Sequence, residues 1–65
     1  MHLPEIADKL MSSGYVVKID RSHRRIVVSL KNRNVTISEI ERALHWDINH
    51  AVRFARSGGS VVITE

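Results

Sequence analysis

The sequence predicts a small two-layer α+β domain in the order α-β-β-α-α-β, with a three-stranded, mostly antiparallel sheet and helices on one face. Three observations lead there. An apolar stripe at helical spacing opens the chain, the apolar period becomes two between Tyr15 and Leu30, and a β-branched run, Ser60-Val61-Val62-Ile63-Thr64, follows a Gly-Gly pair.

In helix one, Leu3, Ile6, Ala7, Leu10 and Met11 recur at i, i+3, i+4, i+7 and i+8. Pro4 suits a first turn, so the helix is expected over 4–12. Gly14 ends it, since glycine takes the left-handed conformation without steric cost.

Tyr15, Val17 and Ile19 alternate to one side, as do Ile26, Val28 and Leu30, which predicts a β-hairpin. Its tip, Asp20-Arg21-Ser22-His23-Arg24, lacks Asn-Gly or Asp-Gly, so a loop longer than two residues is expected. After the polar turn 31–34, Val35 to Ile37 either adds a short strand or leads into helix two. Thr36 with Glu39 forms a capping box, and Val35 is placed to staple against Ile40; Ser38 with Glu41 offers the same box two residues later. Ile37, Ile40, Ala43 and Leu44 face inward, and the helix stops near His45. Asp47 is an N-cap for a third helix to about Ser57, burying Ile48, Ala51, Val52 and Ala55 with Phe54 beside them, and Gly58-Gly59 end it.

Sixty-five residues make one domain, 1–65, and bury roughly 60% of the surface the unfolded chain exposes. The core is therefore marginal, and a homodimer or another partner would add stability. There is no cysteine, hence no disulfide and no thiolate metal site. His45 and His50 lack the i, i+4 spacing of a zinc-binding helix and no cofactor is expected. No apolar run approaches the ~20 residues of a membrane span, and the opening Met1-His2-Leu3-Pro4-Glu5 is unlike a signal peptide, so a cytoplasmic location is the expectation.

Charge is unevenly spread. The formal net charge is +3, yet six of the ten basic residues lie between Lys18 and Arg33, with only Asp20 opposing them. The remainder is net acidic. Lys18, Arg21, His23, Arg24, Arg25, Lys31 and Arg33 thus form a basic hairpin suited to successive phosphates, with affinity from counterion release. Nucleic acid is the expected partner.

A second polar set falls on the third helix. The apolar spacing of Ile40, Leu44, Trp46, Ala51 and Phe54 resembles a helix-turn-helix, with Glu41 and His45 where that motif usually has a small residue and a glycine. That resemblance implies a DNA-binding regulator in which Asn49, His50, Arg53 and Arg56 of helix 48–57 face bases or phosphates. The same stretch, from Asp47 through Gly58-Gly59 into Val61-Val62, is similar to the αL RNA-binding motif of small ribosomal proteins and tyrosyl-tRNA synthetases. Ser22-His23, preceded by Gly14-Tyr15 and a strand, resembles the Gly-Ser-His segment of HicA-type toxins. That likeness implies an RNA-cleaving enzyme with His23 catalytic, although Arg21 stands where those toxins have glycine. Another alternative is a small protein-interaction factor of phage or plasmid type, docking through Trp46 and the last strand.

Overall fold

The computed structural model describes residues 3–44 and 52–65 of the chain. Among them the order is α1 (Leu3–Ser12), β1 (Val16–Asp20), β2 (Arg25–Ser29), α2 (Ile37–Ala43), β3 (Arg53–Ser57) and β4 (Ser60–Thr64). The α+β class is as expected. The sheet, however, has four strands, wholly antiparallel, in the order β1-β2-β4-β3.

Helix α1 buries Leu3, Ile6, Ala7 and Leu10, while Met11 at i+8 rotates off the stripe and is 45% exposed. A Schellman motif closes it: the Tyr15 N–H donates to the Leu10 carbonyl at 3.1 Å, the Gly14 N–H to that of Met11 at 3.0 Å, and Gly14 takes φ 96°. The chain therefore enters β1 directly from the helix end, with Leu10 in the core and Tyr15 packed against it.

Helix α2 begins as the capping box requires, with the Glu39 N–H donating to Thr36 Oγ1 and the Thr36 N–H to Glu39 Oε2. Val35 leads into this helix instead of forming a strand, and its N–H donates to the Gly59 carbonyl at 2.9 Å. Ile40 and Leu44 are buried, joining Ile26, Val28, Val61 and Ile63 of the two central strands and the stripe of α1 in one core. Both helices thus pack on the same sheet face, and the opposite face carries no helix among the described residues.

The expectation of a third helix to Ser57 is corrected: residues 53–57 are β3. Val52 and Phe54 pack against the core and Ala55 is exposed, the reverse of the helical assignment for Ala55. Phe54 pairs with Ile63 and Ala55 with Val62, so alternate residues of β3 fall on opposite faces. Gly58-Gly59 do not end a helix but turn a hairpin between Ser57 and Ser60. Gly58 has φ 61° while Gly59 does not enter the left-handed region, the pattern of a type II′ turn. Such a turn follows the right-handed twist of its strands, and hydrogen-bonded pairing with the β-branched β4 outweighs the helical propensity of a six-residue stretch. Residues 45–51, which include the expected cap Asp47 and first turn of that helix, lie outside the described residues.

Among the described residues no helix is long and apolar enough to cross a membrane. Gly58→Ala places a Cβ in the left-handed region, and urea unfolding is expected to register a loss of about 1–3 kcal/mol.

Candidate nucleic-acid interface

The sheet face turned away from α1 and α2 is built by strand register. Asp20 of β1 pairs with Arg25 of β2, Arg25 with Thr64 of β4, and Thr64 with Arg53 of β3. Paired residues point to the same side, so Asp20, Arg25, Thr64 and Arg53 form one row across all four strands. The next row is Lys18, Val27, Val62 and Ala55. Arg25 and Arg53 flank Thr64 at two strand spacings, about 10 Å apart. Lys18, Arg25 and Arg53 are all exposed.

At the same end of the sheet stands the β1–β2 loop, 21–24, longer than two residues as its composition predicts. The Arg24 N–H donates to the Arg21 carbonyl at 3.4 Å, and Arg24 has φ 51°, the one positive φ outside glycine among the described residues. Asp20 organises the loop: Oδ1 accepts from Ser22 Oγ at 2.8 Å and from the His23 N–H at 3.2 Å, while Oδ2 lies 2.8 Å from His23 Nδ1. Those hydrogen bonds, that of Ser22 first and that of the His23 side chain next, lower the Asp20 pKa to about 2. Arg25 Nε also lies 3.4 Å from Asp20 Oδ2. The one acid opposing the basic segment is thus occupied holding the tip together. Arg21, Arg24, Lys18 and Arg53 pair with no carboxylate among the described residues.

His23 is 65% exposed, and its ring is engaged by Asp20 through Nδ1. An imidazole oriented by a carboxylate can act as a general base.

The remaining predicted residues are not brought to this cluster. Lys31 and Arg33 follow the far end of β2, on the order of 15 Å or more from Arg25 by strand rise. Arg33 is committed elsewhere: Nη1 and Nη2 donate to Glu39 Oε2 and Oε1, both at 2.8 Å, and Nη1 also reaches the Asn34 carbonyl at 3.0 Å. Glu39 accepts in addition from the Tyr15 hydroxyl at 2.7 Å and from Thr36. The forked contact from Arg33 is the main reason the Glu39 carboxyl is held well below the usual range. Burial first, and then the neighbouring Glu39, raises the Tyr15 phenol. Through Glu39 the loop before α2 is tied to Tyr15, the residue that precedes β1.

Arg53 and Arg56 were expected on one helical face. Three residues apart on a strand, they lie on opposite faces, Arg56 beside Val61 on the helix side. This removes the recognition-helix assignment from both and leaves the helix-turn-helix and αL likenesses without the end of their second helix. Asn49, His50, His45 and Trp46 lie outside the described residues. Among the described residues no three potential ligands converge on a metal site.

Sequence reasoning missed the union of Arg53 with the hairpin. The available signal was Ser57-Gly58-Gly59-Ser60 between runs that alternate, as a Gly-Gly pair there marks a two-residue hairpin. The chain matches no family model, no curated protein and no solved structure.

Glu39→Gln is expected to lower the melting temperature at pH 7. Glu39 has a depressed folded pKa, so its contribution is full above the ordinary value of 4.5 and is lost as pH falls below it. Melting curves of the wild type and the variant should accordingly converge as pH falls from 5 toward 2.

Proposed function

We propose that this chain is a small nucleic-acid-binding domain that grips the phosphate backbone with the sheet face turned away from α1 and α2 and with the adjoining hairpin tip. The observation that carries this is the row joining Arg25 and Arg53, with Lys18 in the next row and Arg21 and Arg24 at the tip. Three of these five cations share the open face and the other two stand on the loop at the same end of the sheet, where the Asp20 charge is already engaged by its own loop. Neutralising several phosphates at once releases counterions, which favours binding of any sequence and makes it salt-sensitive.

Duplex DNA is the preferred substrate. Tyr15 and Phe54 pack against the core side, so among the described residues the open face carries no ring on which single-stranded bases could stack. A two-stranded β-ribbon, by contrast, has the width to enter a major groove. The role is regulatory or architectural, in the cytoplasm, with no cofactor.

A second reading draws on His23, whose carboxylate-oriented imidazole sits among arginines that would stabilise a phosphorane. On it the chain is a ribonuclease. Intact RNA after prolonged incubation with the protein is the expected result; cleavage that disappears in His23→Ala would instead establish this second reading.

For the binding function, the measurement is affinity for a duplex across a salt series. Arg25→Ala and Arg53→Ala are each expected to weaken binding to unrelated sequences alike and to reduce the slope of log K against log salt by about 1. Lys31→Ala, at the far end of the sheet, leaves the slope unchanged. Slopes insensitive to Arg25 and Arg53 would remove the sheet face from the interface.

A further inference from the structure

An open groove of about 490 Å³ lies between the start of α1 and the hairpin tip. Leu3, Pro4 and Ile19 form an apolar side, and Arg21, Arg24 and Arg25 line the remainder together with Asp20 and Glu65. Ile19 is in phase with the core residues of β1 but lies at the sheet's end, where it stays 43% exposed. An apolar wall facing a cluster of arginines complements a ligand with one flat apolar part and one phosphate. The volume falls in the range of small-molecule sites, roughly 300–1,000 Å³.

The backbone adds an independent observation. Arg24 sits at φ 51°, where glycine or asparagine fits and arginine is strained. Strained residues of this kind cluster at ligand clamps, where the side chain's role offsets the conformational cost. Two acids border the groove. Asp20 is engaged by Ser22, His23 and Arg25, while Glu65 faces the groove without an ion-pair partner among the described residues.

We infer that this groove holds a single unpaired nucleotide of the bound nucleic acid, with its base against Leu3, Pro4 and Ile19 and its phosphate on Arg21 and Arg24. The inference rests on the nucleic-acid reading above and adds a site for an overhanging or unstacked end. Guanidinium planes also stack on bases, so Arg24 serves either part of the nucleotide. Glu65 weakens the site by its charge.

The test uses the full chain and adenosine 5′-monophosphate, with inorganic phosphate and adenosine as separate probes, followed by amide chemical shifts. The nucleotide is expected to shift Leu3, Ile19, Arg24 and Glu65 and to bind at least tenfold more tightly than either probe. Arg24→Gly should weaken it at least tenfold while the melting temperature stays equal or rises, because the substitution relieves the backbone strain. Ile19→Ser should bring the nucleotide down to the affinity of phosphate, and Glu65→Gln should tighten it. Phosphate binding as tightly as the nucleotide, or shifts confined to Val27 and Val62 on the open face, would overturn the inference. The two readings fail separately: Ile19→Ser is expected to leave blunt-duplex affinity and its salt slope unchanged. Duplex binding that persists in wild type without nucleotide binding removes the groove alone, whereas a wild type that binds no duplex removes the reading beneath it.

Discussion

The pairing of β2 with β4 is the interaction on which the other features depend. It joins residues 25–28 to 61–64, so a large loop must close before its hydrogen bonds form. Its inward residues, Ile26, Val28, Val61 and Ile63, are fully buried and give both helices a common surface. Its outward residues decide which cations become neighbours. Thr64 pairs with Arg25 on one side and Arg53 on the other, so one strand brings together two arginines 28 positions apart in sequence.

The same register sorts the cations by role. Arg33 belongs to the basic segment by sequence, yet its forked contact with Glu39 makes it a brace between the loop before α2 and α2 itself. Glu39 receives donors from Tyr15, Arg33 and Thr36, which joins three segments at one carboxylate. Arg56 is turned to the helix side by strand alternation. What remains on the open face and tip is a set of cations with little internal neutralisation. Such a set on edge strands also discourages sheet-to-sheet aggregation. That role asks only for charge at an edge, whereas here Arg25 stands on the central strand β2.

Legibility in the sequence followed the range of the interaction involved. The stripe of α1, the glycine that ends it, the alternation of the first hairpin and the capping box of α2 are each encoded within about a dozen residues, and each was readable. The stretch Val52 to Ser57 was not. Its apolar positions satisfy a helical and a strand period alike over so few residues, and the helical option was strengthened by Asp47 as a cap. The Gly-Gly pair fits a helix end and a hairpin turn equally well until its neighbours are known. Of the candidate site, the tip arginines and Lys18 were legible from charge alone. The fate of Arg33 was not, because a capping glutamate carries no sign of a third partner six residues upstream.

By itself, the sequence determined the α+β class, both helices and the first hairpin among the described residues, and the concentration of positive charge on that hairpin, since all of these depend on local period, capping and composition. Only the tertiary structure decided that residues 53–57 form a fourth strand, that Arg53 stands beside Arg25, that Arg33 is withdrawn into a brace, and that Ile19 lines a groove with three arginines. Those outcomes depend on which distant strands share hydrogen bonds, and a backbone N–H or C=O carries no residue-specific mark of its partner. The basic hairpin is thus one wall of a larger surface whose other wall comes from the second half of the chain.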